Sequence, residues 1–171
     1  IGPFIRNEWN IVDKLDMVIG GRWDWLHYQV KDQFRNDGNE SGSRTVSQGS
    51  GSAGLVYHVS DRQQLYAHTA TVFEAPTTTE LLNNPAGRGG FNPNLNPQTS
   101  LSNELGFRGN TAGFQYDTAV FFIKTWDEIT PFELPSSPGR AFFRNAGQSR
   151  RIGVETRLAT PEWKGLRGEV S

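Results

Sequence analysis

Apolar residues along this chain recur at every second position, the spacing of a strand with one oily face and one wet face. Residues 4–12 set Ile5, Trp9 and Ile11 against Arg6, Glu8 and Asn10. Residues 15–25 set Leu15, Met17, Ile19, Trp23 and Trp25 against Asp16, Gly20, Arg22 and Asp24. Residues 51–60 place Leu55, Tyr57 and Val59 opposite Gly54 and His58, and a half-apolar strand follows over 64–73. Residues 100–108 set Leu101, Leu105 and Phe107 against Ser102, Glu104 and Arg108. Residues 114–126 set Phe114, Tyr116, Val120 and Phe122 against Gln115 and Asp117. Residues 149–158 set Ile152, Val154 and Leu158 against Gly153, Glu155 and Arg157, and a last strand opens at 166–171.

The connections alternate as regularly as the side chains. Short turns fall at 12–14, 60–63, 110–113 and 160–165, and long polar stretches rich in Asn, Ser, Gly and Pro fall at about 31–50, 74–99 and 127–148. Antiparallel barrels that cross a membrane have short turns on one side and long loops on the other. A strand of about 10 residues tilted by roughly 45° rises about 24 Å, the height of the apolar band of such a barrel. Aromatic residues sort to the ends. Trp23, Trp25, Tyr28, Phe73 and Trp126 stand where strands meet long stretches, and Phe107, Phe114, Tyr116 and Trp163 stand beside short turns. Rings with an apolar body and a polar edge favour the two membrane interfaces, so these predict two girdles. A soluble sandwich explains the alternation but not the switching of loop lengths.

Composition fits this picture. Of 171 residues, 35% are hydrophobic and 12% aromatic, an apolar share sparse for a packed soluble core and sufficient where only one strand face meets lipid. The net charge of −1 argues against a nucleic-acid partner. The absence of cysteine removes disulfides and thiolate metal sites. The longest apolar run, 119–123, is too short for a spanning helix. The chain opens on Ile1 without a leader pattern and closes on Ser171 inside an apparent strand, so both ends read as cut. No nucleophile elbow, HExxH pattern or P-loop is present, and enzyme activity finds no support.

Several segments resemble the barrel of TonB-dependent outer-membrane receptors. They are LDMVIGGRWD at 15–24; GLVY at 54–57 with LYA at 65–67; FEAPT at 73–77 with Glu80 and Leu81; and NPNLNP at 92–97 with Glu104-Leu105-Gly106. RNAG at 144–147 and RIGVE at 151–155 complete the set. Together they span nearly the whole chain. The resemblance implies an all-β fold: about eight meandering antiparallel strands of a larger transmembrane barrel of about twenty-two strands. The N-terminal plug and the closing strand have no counterpart within 1–171. It further implies residence in the bacterial outer membrane, contact with its lipid, and uptake of a ferric siderophore or similar iron chelate. TonB would supply the energy through a plug that this chain lacks; no cofactor is implied.

Within that frame Arg22, Asp24, Glu104, Arg108, Asp117, Glu155 and Arg157, with Asp16, sit on the wet strand faces and are the expected lumen-facing residues. Arg88, Phe91, Arg140, Phe142 and Arg144, with Phe143, lie in the long stretches, where guanidinium groups and rings can hold an anionic chelate by charge and stacking. Pro76, Pro93 and Pro97 stiffen the largest loop. His27, His58 and His68 fall on separate strands without a second ligand at helix or hairpin spacing, so no metal site is expected. Haem receptors of this family carry FRAP and NPNL boxes with a haem-ligating His between them. Here FEAP and NPNL enclose no His, which sets uptake of haem or another metal chelate behind the siderophore reading.

The other alternative, a soluble β-rich binding module such as a sugar-binding sandwich, is separable by experiment. In a membrane wall, Ile19→Arg or Val154→Arg places a charge in lipid at a cost of about 2–4 kcal/mol near the midplane. The full-length variants are expected to be lost from the outer-membrane fraction and from the heat-modifiable folded band on gels. Undiminished folding without detergent would select the soluble module.

Overall fold

In the computed structural model, residues 1–33, 36, 39–86 and 89–171 are described. Among them the chain forms an eight-stranded antiparallel sheet and a separate two-stranded one. The strands are β1 (Phe4–Val12), β2 (Leu15–Val30), β3 (Gly42–Ser60), β4 (Gln63–Glu74), β5 (Gln98–Thr111), β6 (Phe114–Trp126), β7 (Ile129–Leu134), β8 (Ser137–Asn145), β9 (Gln148–Ala159) and β10 (Glu169–Val170). One short helix, α1 (Thr78–Leu82), interrupts the connection from β4 to β5. The large sheet runs β1-β2-β3-β4-β5-β6-β9-β10, so it is a meander with the β7–β8 hairpin inserted between neighbours.

The ladders are long and in register. One row reads Leu105↔Val120↔Val154 across β5, β6 and β9, and another reads Leu15↔Tyr57↔Leu65↔Phe107 across β2 to β5. Since side chains alternate across a strand, these rows gather most of the apolar side chains of the strands on one face. Nothing among the described residues covers that face. Ile19, Leu105, Val120 and Val154 are 43%, 51%, 47% and 67% exposed, where a sandwich would bury them against a second sheet. The wall is a single layer, which removes the soluble sandwich.

Turn chemistry fixes the register. Thr111 pairs with Phe114 across a two-residue turn in which Ala112 and Gly113 both have positive φ, 52° and 84°, the hairpin geometry that matches strand twist. Asn110 Oδ1 accepts a hydrogen bond from the Gly113 N–H. Aromatic rings lie over glycines of the neighbouring strand: Tyr66 over Gly106 and Phe121 over Gly153 on the polar face, Trp23 over Gly49 on the apolar face. A methyl group at Gly106 would stand 2.3 Å from the Tyr66 ring.

Three expectations need correction. β3 begins at Gly42 and not near 51, so the stretch 31–50 is only partly a loop. The stretch 127–148 is mostly the β7–β8 hairpin, in which Phe132 pairs with Phe142 and Pro131 with Phe143; prolines are tolerated in such a two-stranded edge. Tyr28, expected in the outward upper girdle, pairs with Arg44 on the polar face and meets the Phe91 ring edge-on at 6.3 Å. The other upper rings do lie outward, with Trp23 and Trp25 48% and 49% exposed.

Gly106→Val should force Tyr66 off its seat and with it the Tyr66 hydroxyl from Asp117. The expected loss is roughly 1–3 kcal/mol, read as a lowered unfolding midpoint of the full-length barrel.

Candidate functional site

The face opposite the apolar one carries a belt of polar contacts that crosses every strand of the large sheet near the short turns. Asn10 Nδ2 donates to Asp16 Oδ1 at 3.0 Å, and Asp16 Oδ2 meets His58 Nε2 at 2.7 Å. His58 Nδ1 meets Gln64 Nε2 at 3.3 Å, and Gln64 Oε1 accepts from Arg108 Nε at 3.0 Å. The Arg108 guanidinium lies over the Tyr66 ring, 5.3 Å from its centroid, and the Tyr66 hydroxyl donates to Asp117 at 3.2 Å. Asp117 stands between Arg108 and Arg157 in the register, and Arg157 grips Glu169 with two bonds of 2.9 and 3.0 Å. The backbone ladder alone would hold these strands. The belt adds that no charge within it lacks a partner, which lowers the cost of a charged wall.

All seven residues expected on the wet face lie there. Arg108, Asp117 and Arg157 share one row. Glu104 sits opposite His68, and Glu155 opposite Ala119. Arg22 and Asp24 pair with each other at 2.6 Å, with Asp24 buried at 8% exposure. Sequence reasoning missed the Asp16–His58 contact, because the residues lie 42 positions apart and meet only through the β2–β3 register.

Above the belt, the described residues of the next connection, 75–86 and 89–97, fold into a compact cap. Thr77 and Glu80 form a reciprocal capping box: the Thr77 Oγ1 accepts from the Glu80 N–H, and the Thr77 N–H donates to the Glu80 carboxylate. This starts α1 and turns Leu81 inward. Leu81 and Leu95 are fully buried, the largest apolar side chains so placed among the described residues. The Asn92 N–H donates to the Leu81 carbonyl at 2.7 Å, closing the cap on itself. Arg44, on the polar face of β3, donates to the Asn92 carbonyl and to Asn96 Oδ1. Asn145, at the end of β8, takes the Asn96 N–H at 2.8 Å and donates to the carbonyls of Asn96 at 2.8 Å and Asp127 at 2.6 Å. One asparagine thus fastens the cap to the hairpin. Nothing local marks the anchoring role of Arg44, or of Asn145 within the RNAG segment, since most of their partners lie about fifty positions away.

The loop residues singled out from the sequence lie around this cap. Phe91 is half-buried on Tyr28. Arg140 donates to Asn83 Oδ1 at 3.1 Å and lies over Phe142 at 5.2 Å; Phe142 itself is 3% exposed and packs on Phe132. Arg144 lies over Phe132 at 5.1 Å. Arg88 falls outside the described residues. Among the described residues Arg44, Arg140 and Arg144 have no carboxylate within ion-pair distance, in contrast to Arg22, Arg151 and Arg157 below them. At the base of the hairpin the Ser149 hydroxyl and the Arg151 guanidinium hold the Glu128 carboxyl below its ordinary value.

Two outcomes are expected. Asn145→Ala should cost roughly 1–3 kcal/mol and open the segment 84–97 to proteolysis of the full-length protein while the strands stay protected. Glu128 has a depressed folded-state value, so its grip on Arg151 is complete at neutral pH and lost as pH falls through that value; acid should loosen the hairpin base in hydrogen exchange before the strands open, and Glu128→Gln should remove that acid step.

Comparison with known proteins agrees with this architecture. The chain is 24% identical over 177 residues to the ferric-pyoverdine 358 receptor of Pseudomonas putida, covering 98% of this chain and 20% of that protein. It is 34% identical over 103 residues to the vitamin B12 transporter BtuB of Vibrio vulnificus strain YJ016, covering 60% of this chain and 16% of that protein. Among solved structures the copper transporter OprC superposes with a TM-score of 0.76 at 18% identity, over 95% of this chain and 26% of that one. The chain therefore spans about a fifth of the curated relatives it matches, and those relatives are receptors and transporters, not enzymes. Residues 1–171 match throughout the family described as TonB dependent receptor-like, beta-barrel; the chain belongs to that family of the bacterial outer membrane.

Proposed function

We propose that this chain is the ligand-capturing part of a receptor barrel that takes up a ferric siderophore or similar iron chelate, energised through TonB. The carrying observation is the set of guanidinium groups at the loop end: Arg44, Arg140 and Arg144 without carboxylate partners among the described residues, the last two seated on rings. A cation that is stacked and not ion-paired retains its charge for an incoming anion, and its planar face is already positioned. A ferric chelate with catecholate or carboxylate ligands is anionic and carries flat surfaces that such groups hold by charge and stacking. Arg88 and Phe91 add to the same loop in sequence.

In this reading the cap 75–97 and the β7–β8 hairpin capture the chelate. Arg22, Asp24, Glu104, Arg108, Asp117, Glu155 and Arg157 line the bore below, where they meet a plug supplied by the rest of the protein. Both signs stand side by side along that wall, Arg22 paired with Asp24 and Asp117 between Arg108 and Arg157, so an anion released from the loops meets no deep electrostatic trap. The step is recognition and passage, with no covalent chemistry.

A second reading is a corrinoid or other metal-chelate cargo, favoured by the 34% identity to a vitamin B12 transporter. Equilibrium binding to the full-length receptor separates the two, with ferric pyoverdine and cyanocobalamin as probes. The proposal expects the ferric chelate to bind, Arg140→Ala with Arg144→Ala to weaken it at least about tenfold, and high salt to weaken it likewise. Tight cobalamin binding that ignores both arginines would replace the siderophore reading with the corrinoid one.

A further inference from the structure

Lys124 and Arg150 face the wrong way for the barrel's interior. They are direct partners in the β6–β9 ladder, in the row that also holds Thr71 and Leu101. That row belongs to the apolar face, together with Val120, Phe122, Ile152 and Val154. Across β1 to β6 and β9, every other residue of that face is uncharged apart from the titratable His27. The only two charged side chains on the lipid side of these strands are therefore both cations, and they are directly opposite each other.

Like charges so placed repel, and a partly apolar surround raises the cost. On the polar face the sheet solves this with acids: Arg22 has Asp24, Arg151 has Glu128 and Arg157 has Glu169. Among the described residues neither Lys124 nor Arg150 is within ion-pair distance of a carboxylate. The Lys124 ammonium lies over the Trp126 ring, 4.9 Å from its centroid, and Arg150 is exposed with its guanidinium free. Trp126 ends β6 and Gln148 begins β9, so both cations stand two positions below the strand ends that meet the hairpin. Below them lie Phe122 and Ile152, the latter 77% exposed. That height, one step under an interfacial tryptophan, is where headgroups begin.

From this we infer that Lys124 and Arg150 together bind a phosphate of an acylated, phosphorylated glycolipid of the outer leaflet. Cross-strand neighbours have Cβ atoms about 5 Å apart, so an ammonium and a guanidinium can close on a single phosphate. The acyl chains then lie on Phe122, Val120, Ile152 and Val154. The anion converts a repulsive pair into a bridged one and pins β6 to β9 beside the hairpin base. The inference rests on the long connections facing outward; it does not depend on which chelate is carried.

The test is lipid retention by the purified full-length receptor, read by native mass spectrometry after exchange into mixed micelles. Three probes are used: bisphosphorylated lipid A, the same lipid with its phosphates removed, and phosphatidylglycerol. Wild type should retain bisphosphorylated lipid A selectively, and less of it in high salt. Lys124→Gln with Arg150→Gln should retain about 30-fold less, Lys124→Arg should retain it fully, and Lys164→Gln at the short-turn end should change nothing. Heat-modifiable mobility confirms folding, and if the double variant does not fold, the single variants decide by a loss of about fivefold each. Equal retention by wild type and the variants, or equal retention of the phosphate-free lipid, overturns the inference. Preference for phosphatidylglycerol that disappears in the double variant also overturns it, because the pair would then face the inner leaflet. Chelate binding measured on the same samples should be unchanged in the double variant, so loss of lipid and loss of cargo are told apart.

Discussion

Hydrocarbon offers no hydrogen bonds, and this governs the rest of the molecule. Every N–H and C=O of a spanning segment must find a partner within the protein. The chain answers with ladders that run unbroken for whole strands, such as the pairing of Leu15 through Val30 with Tyr57 back to Gly42. Three of its four reversals at one end, at 13–14, 61–62 and 112–113, are two residues long, so little backbone there goes without a ladder partner. It also explains why the structure has almost no interior. Buried apolar residues among those described are few, and Leu81, Leu95 and Phe142 belong to the cap and hairpin, above the wall. Side chains that would form a core in a soluble sheet are turned out to lipid.

A wall one layer thick needs lateral cohesion beyond its backbone. On both faces rings fill the space above glycines, as Trp23 does over Gly49 on the apolar side and Tyr66 over Gly106 on the polar side. The polar face adds the belt from Asn10 to Glu169, which ties each strand to the next through side chains. Paired this way, charges can stand close together on one face of a thin wall without each drawing in a counter-ion. The same logic isolates Lys124 and Arg150, the one place on these strands where cations share the apolar face with no acid among the described residues to answer them.

What the sequence made legible follows from these constraints. Alternation was readable because lipid on one side and water on the other leave a period of two with few exceptions, and the seven wet-face charges followed from it. The first half of β3 was not readable. Its residues from Gly42 to Ser50 are Gly, Ser, Gln, Thr and Arg with a single Val46, a loop-like composition in a segment above the apolar band, where nothing oily is required. The β7–β8 hairpin was hidden by Pro131, Pro135 and Pro138, which read as breakers; in a two-stranded ribbon a proline can face the unpaired edge. Tyr28 was misplaced because an aromatic at a strand end satisfies both readings, and only parity decides. The cap's anchors could not be seen at all, since Arg44 and Asn145 bind backbone atoms whose position depends on the finished fold.

Strand length connects wall to loops. β2 has 16 residues, which at about 3.3 Å each and a tilt near 45° rise roughly 37 Å, well beyond an apolar band about 25 Å tall. The upper third of β2 and β3 therefore stands in water as a stiff collar, and the β7–β8 hairpin continues β6 and β9 in the same way past a kink at Asp127, where φ is 54°. The cap hangs between these two extensions, fastened by Arg44 on one and Asn145 on the other. Loops borne on ordered strands lose little conformational entropy when a ligand arrives, so more of the contact energy appears as affinity. The guanidinium groups at issue sit on or against that frame, Arg44 in β3 and Arg140 and Arg144 in β8. On the proposed reading, a change of cargo calls for new side chains on the collar and cap and leaves the lipid-facing rows, fixed by register and hydrocarbon, untouched.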